Sequence, residues 1–371
     1  MDFELNDEQR EFKQAIRKFM QATASREQLR RAVDGNESYD RRVWHAMARE
    51  LGLQGLAIPE RYGGSGAGLV ELALAMEEAG RALLCAPLLA TAGMAAAALV
   101  YSDDDRAQSE WLPAIASGDL VATLALAEGE EPCVLESTRT VATRTSGTWQ
   151  ISGSKRYVLN GADADLVLVP AWTGAGLSLF AVRAHGPGVE RVPMSVLDPT
   201  RTMCELRLDN SRATLVGAEG GAAGFLGRTI TWSSVALAAE QVGGTQACLD
   251  MAVDYAKSRS QFSRPIGSFQ AIKHKCADIY VDLETSRYAV YFTAWSLASR
   301  PDDEEMFAEM TAAYVSEAFF RAAAQNLQIH GGIGYTWEHD SHLLFKRATA
   351  SKRLLRSPRR RYDEIAAGMD L

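Results

Sequence analysis

The chain is 371 residues long, 47% apolar and 23% charged, with Gly 30 and Pro 11. A chain of that size and composition divides into two to three globular domains and is neither disordered, collagen-like nor repeat-biased. Lys plus Arg total 39 against Asp plus Glu 47, a net charge of -8, which leaves no global positive field for nucleic acid or an anionic membrane, so any anion is bound locally.

Acids at Asp2, Glu4, Asp7 and Glu8 stand where a secretory signal needs a basic and then apolar stretch, so no targeting segment is expected. Asn6 followed by Gln9 reads as a capping box opening a helix with Phe12, Ile16, Phe19 and Met20 on its apolar face. Val43, Met47 and Leu51 mark a second helix. Residues 51–68, rich in glycine around Pro59 and Tyr62, read as a loop. Its Gly63-Gly64-Ser65-Gly66-Ala67-Gly68 run lacks both the preceding strand and the spacing of a dinucleotide fingerprint. Residues 82–102 are uncharged over a length that spans a bilayer, but they include eight alanines and are interrupted by Pro87 and Gly93. A buried helix is the expectation there, and no membrane span.

The period changes near residue 119. Short apolar or alternating runs at 121–127, around Trp149 and Ile151, and at 166–169, 177–182 and 204–208 predict closely spaced strands without intervening helices, hence a small antiparallel sheet or barrel. A glycine-rich loop over 217–227 closes this region, and Ile272, Cys276, Ile279, Tyr280 and Leu283 begin a further set of helical stripes. The expected domains are 1–118 (helical), 119–216 (β) and 217–371 (helical). Five scattered cysteines, Cys85, Cys133, Cys204, Cys248 and Cys276, fit neither a disulfide framework nor a zinc site and suit a reducing cytoplasm.

Two motifs carry chemistry. The first runs from Arg259 through Gln261, Phe262, Ser263 and Gly267 to Phe269-Gln270, between two long helices. The second, Gln328-Ile329-His330-Gly331-Gly332, has paired glycines that let backbone approach a ligand at a helix junction. Glu338-His339-Asp340-Ser341-His342 beyond it does not read as a metal site, and the eight basic residues between Lys346 and Arg361 suit either the phosphates of a ligand or a solvated or subunit face.

Together with Pro59-Glu60-Arg61-Tyr62-Gly63-Gly64, Trp111-Leu112-Pro113 and Gly153-Ser154-Lys155-Arg156-Tyr157, these motifs resemble the acyl-CoA dehydrogenase family over essentially the whole chain. The resemblance implies an α+β fold with an N-terminal helical domain, a middle antiparallel β-domain and a C-terminal four-helix bundle, assembled as a tetramer. It implies FAD as cofactor, an acyl-CoA thioester as substrate and α,β-desaturation with hydride transfer to flavin N5. Electrons would pass to an acceptor such as an electron-transfer flavoprotein, in fatty-acid or sterol side-chain oxidation. In the family FAD lies between two subunits. Arg259, Gln261, Phe262, Phe269, Gln270, Gln328, Gly331 and Gly332 match the set offered to a neighbour, with Ser263 in place of a usual Gly. Leu126, Ala127, Tyr157, Val158 and Leu159 match the set facing the flavin ring, where Ala127 and Leu159 replace hydroxyl residues and the usual Gly-Ser-Asp is missing.

The reaction needs a carboxylate base in a dry pocket. The two family base positions fall on Leu355 and Ser233, neither of them acidic. The nearest acid on the Ser233 helix is Glu240, on nearly the same face but about 10 Å further along the axis, where it reads as an ion-paired helix residue or as a displaced base. Two functions follow from the resemblance: an FAD-dependent acyl-CoA dehydrogenase, or a base-less partner subunit that donates FAD contacts to a catalytic chain in an α2β2 tetramer.

Overall fold

The computed structural model describes residues 5–35, 38–299 and 304–369. The chain opens with α1 (Asp7–Thr23), α2 (Arg26–Asp34) and α3 (Arg41–Leu51). The capping box forms as expected: Asn6 Oδ1 accepts the Gln9 N–H at 2.8 Å, Gln9 Oε1 accepts the Asn6 N–H at 3.1 Å, and Ile16 and Met20 are buried. After the glycine-rich loop come α4 (Leu69–Arg81), α5 (Ala96–Tyr101) and α6 (Asp105–Ala116). The uncharged stretch is mostly buried and is helical only from Leu88: residues 82–87 form a turn before it, and Leu89–Ala95 are wound as a π-helix that runs into α5. Among the described residues no helix is long and apolar enough to cross a membrane.

Seven strands follow: β1 (Ala122–Leu124), β2 (Val141–Thr145), β3 (Thr148–Leu159), β4 (Leu166–Thr173), β5 (Gly176–Arg183), β6 (Val189–Pro193) and β7 (Met203–Val216). Strands β4, β2, β3, β7 and β5 pair in a ring that closes where β5 returns to β4, with β1 on β4 and β6 on β7. Most pairings are antiparallel, but β1–β4 and β2–β4 are parallel, so the expected antiparallel sheet is a mostly antiparallel barrel. β3 carries two register breaks; at the second, between Lys155 and Val158, Tyr157 takes a φ of 54°. A bulge there re-aims the side chain out of the ladder.

The C-terminal part consists of α7 (Ala222–Ser258), a hairpin of β8 (Ser260–Gln261) and β9 (Arg264–Pro265), then α8 (Gln270–Ser299), α9 (Glu304–His330), α10 (Ser341–Ser351) and α11 (Pro358–Gly368). Helices α7 to α10 pack on one another, and α11 lies against α9. The closest crossing is α4 over α7. A Cβ at Gly80 would lie 1.9 Å from the Glu240 carbonyl oxygen and one at Gly243 1.8 Å from that of Glu77, so only glycine permits the backbone contact. That crossing buries Glu77 and Glu240 and therefore obliges each to find cationic partners.

Candidate functional site

Helix α7 ends on an outward-facing arm. The Arg259 N–H donates to the Tyr255 carbonyl at 2.8 Å, and β8 pairs with β9 around Phe262 and Ser263, whose φ values are 52° and 61°. Two central residues with positive φ make the tight hairpin turn usually built from Asn-Gly. Phe262 is 86% exposed at its tip, and Arg259, Gln261 and Gln270 are exposed beside it. The arm is anchored at its root, where the Arg264 guanidinium lies 4.1 Å from the Phe269 ring centre and the Phe262 edge meets the same ring at 6.1 Å. Ile266 and Phe269 share an apolar cluster with Ile329 of α9, which brings the second motif alongside the first. Gln328 is exposed on the last turn of α9, Gly331 has a φ of 62°, and a Cβ at Gly331 or Gly332 meets nothing within 4 Å. The structure thus brings a cation, three side-chain amides and an uncovered glycine turn to neighbouring exposed positions, a donor set suited to a dinucleotide phosphate.

The inward half is built by β1 and β3. The Arg156 N–H donates to the Ala127 carbonyl at 2.8 Å, and Thr123 Oγ1 donates to the Leu159 carbonyl at 2.6 Å. Leu126, Ala127, Val158 and Leu159 are buried, while the Tyr157 ring stays partly exposed. Here Glu128, which spacing did not mark, is structural: it accepts from Lys155 Nζ at 2.6 Å, Thr140 Oγ1 at 2.7 Å and the Arg139 N–H at 2.6 Å. Burial pulls the Lys155 ammonium down to about 8, and the Glu128 carboxylate opposes that shift. A lysine in the middle of a barrel strand was the signal for such a pair, since buried lysine requires one.

Neither family base position presents a carboxylate. Leu355, 1% exposed, faces a small, partly open cavity of about 20 Å³ with Met94, Leu124, Leu126, Tyr157, Leu159 and Leu354. That is room for about one water molecule. Ser233 Oγ is engaged by the carbonyls of Gly93 at 2.9 Å and Thr229 at 2.7 Å. Glu240 Oε1 receives Arg201 Nη2 at 2.6 Å and Arg347 Nη1, while Arg347 Nε also meets Asp198 Oδ2 at 2.8 Å. Burial by itself would raise the Glu240 carboxyl; the two guanidinia outweigh it and hold the group below the usual carboxylate range.

A larger hollow of about 580 Å³ shares Cys133 with that cavity and lies between Trp172 and Leu177 of the barrel, Ile230 and Met306 of the helices and Arg356 of the segment joining α10 to α11. Arg356 is bound there by Glu309 at 3.2 Å and by Glu364, and Arg361 by Glu309 at 2.6 Å. Lys352 pairs with Glu317 at 2.6 Å and Arg360 with Glu364 at 2.8 Å. Much of the basic C-terminal run is therefore neutralised by the chain's own carboxylates. In the Glu338–His342 segment, Asp340 is bound by Arg26 at 2.8 Å and by Arg30.

Residues 6–119 match the model of the acyl-CoA dehydrogenase N-terminal domain and residues 207–354 that of the acyl-CoA dehydrogenase C-terminal domain. The chain belongs to the acyl-CoA dehydrogenase family. It is 35% identical over 331 residues to the acyl-CoA dehydrogenase IpdE2 of Mycobacterium tuberculosis, covering 89% of this chain and 87% of that one. Among solved structures it superposes on a chain of the ChsE4-ChsE5 complex from Mycobacterium tuberculosis with a TM-score of 0.90 at 27% identity, covering 100% of this chain and 99% of the other. On the Tcur3481-Tcur3483 steroid ACAD the TM-score is 0.88 at 28% identity, with 98% of both chains covered. The acyl-CoA dehydrogenase fold expected from the resemblance is the fold observed.

Proposed function

We propose that this chain is the base-less subunit of a mixed acyl-CoA dehydrogenase, donating its arm to the FAD of a related chain that carries the catalytic carboxylate. The observation that carries the reading is the asymmetry between the two halves of the site. Leu355 fills the base position in an apolar cavity of about 20 Å³, Ser233 Oγ is bound to backbone carbonyls, and Glu240 is held by two arginines. The Arg259 and Gln328 surfaces, in contrast, are exposed and already assembled.

When bound, FAD supplies the hydride acceptor of the desaturation. Arg259, Gln261 and Gln328 would hold its pyrophosphate and adenine end, the guanidinium by paired charge-assisted hydrogen bonds and the Gly331-Gly332 turn by admitting close backbone approach. Phe262, fully offered to solvent in the single chain, would gain apolar cover from the neighbouring subunit. The likeness to the ChsE4-ChsE5 complex and to the Tcur3481-Tcur3483 steroid ACAD supports an assembly of two unlike chains and a sterol-derived acyl group. The five free thiols suit a reducing cytoplasm.

The test uses the complex with a Glu-bearing relative. Arg259→Ala in this chain should weaken flavin retention by about tenfold or more, since a charge-assisted hydrogen bond contributes about 1.5–3 kcal/mol. Unchanged flavin content after gel filtration would remove the arm from the cofactor site.

A further inference from the structure

Three aromatic rings stack between the two motifs of the arm. Tyr255, at the end of α7, lies on His330 at 4.4 Å with 27° between planes, and His330 lies on His339 at 4.4 Å and 49°. Tyr255 is also the residue whose carbonyl caps Arg259, and His330 immediately precedes the Gly331 turn. The stack therefore couples the root of the hairpin to the glycine turn, and neither imidazole belongs to the surface offered to the neighbour.

Hydrogen bonding defines the protonation state that the stack uses. His330 Nδ1–H donates to the Asn326 carbonyl at 2.8 Å. His339 Nδ1 accepts the Ser341 N–H at 3.2 Å, at the first residue of α10. It also lies 2.8 Å from Ser341 Oγ, whose single hydrogen is shared between that nitrogen and the Gly334 carbonyl at 3.0 Å. A proton on His339 Nδ1 would replace that acceptor with a donor facing an N–H, at the positive end of an eleven-residue helix. The other charged groups acting on His339 are Arg26 of α2, His342 of α10 and Asp340, a carboxylate that favours imidazolium and is itself bound by Arg26 and Arg30, while Arg30 and Lys346 act on the neighbouring His342.

We propose that His330 and His339 are positioning residues for the flavin-donating arm, and that the arm is held in its binding geometry only while both imidazoles are neutral. This rests on the donation reading above for its functional consequence, though not for the switch itself. Burial lowers both imidazoles from the ordinary value of 6.5, His339 further through His330. A lowered folded value means that the contribution is complete above about pH 6.5 and is lost as pH falls through the folded values.

Hydrogen exchange of the segments 255–270 and 326–341, corrected for intrinsic rates, tests this in the full chain at pH 7.5 and 5.5. Wild type should lose at least tenfold protection in both segments at pH 5.5. The pair His330→Phe with His339→Asn, which keeps an acceptor for the Ser341 N–H and leaves neither position to titrate, should keep it. Protection in wild type that does not change with pH, or that is lost equally in this double variant, overturns the proposal. Flavin retention of the mixed complex is followed over the same pH range. A complex that holds no flavin at pH 7.5 while exchange behaves as stated contradicts the donation reading and supports the switch.

Discussion

Glu240 shows how a residue can look catalytic from one helix and structural from three. Its spacing from Ser233 on α7 is legible in the sequence, but its partners Arg201 and Arg347 come from the loop before β7 and from α10, and no local pattern announces them. Together with Asp198 they form two buried carboxylates and two buried guanidinia, balanced in charge. Removing one member of such a network leaves an uncompensated charge and typically costs about 3–5 kcal/mol. Glu240→Gln should therefore lower stability by that amount in chemical denaturation. The folded carboxyl lies below its unfolded value of 4.5, so the difference from wild type should be constant at neutral pH and shrink as pH falls below about 4.5. A variant that keeps wild-type stability but loses a general base's contribution, roughly 10²- to 10⁴-fold in rate, would instead make Glu240 the base. Leu355 was legible in the opposite sense: the lack of a carboxylate could be read directly, while the small cavity beside it depends on Met94 and Leu124 from distant segments.

At the scale of elements, strong periodicity was read correctly and weak periodicity was not. α1 was legible from its cap and apolar stripe, whereas α2 has no buried residue and hence no stripe to find. Strand β2 exposes all but Ala142, and β6 pairs only with β7, so neither shows the alternation of a half-buried strand. The parallel pairing of β2 with β4 follows from barrel closure, which strand spacing does not encode. The β8–β9 hairpin was seen as a motif, but its conformation was not: Phe262 and Ser263 both adopt positive φ without being Asn or Gly. Positive φ costs a side-chain-bearing residue about 1–2 kcal/mol, partly offset in glycine by its greater unfolded-state freedom. Ser263→Gly should thus strengthen hairpin protection in hydrogen exchange by about 0.5–1 kcal/mol. A loss of protection would mean that the Ser263 side chain holds the turn.

At the scale of the whole molecule, the helix–barrel–helix order was legible because the hydrophobic period changes near residue 119 and a helical stripe returns from Ile272 on α8, although the loop expected over 217–227 is helical from Ala222, where α7 opens. Assembly is expected only through resemblance. In the single chain an aromatic tip, a glycine turn and a guanidinium are exposed on the arm, while the inward half is lined by leucines. Closed two-fold assembly of unlike chains would pair each such arm with a ring pocket supplied by the partner. The flavin-to-chain ratio, measured by absorbance on the purified chain alone and after co-expression with a Glu-bearing relative, decides between this and a homotetramer. Little flavin and no turnover alone, with about two flavins per four chains in the active mixed complex, is the expected result. Four tightly held flavins per homotetramer of this chain, with desaturation of an acyl-CoA, would contradict it.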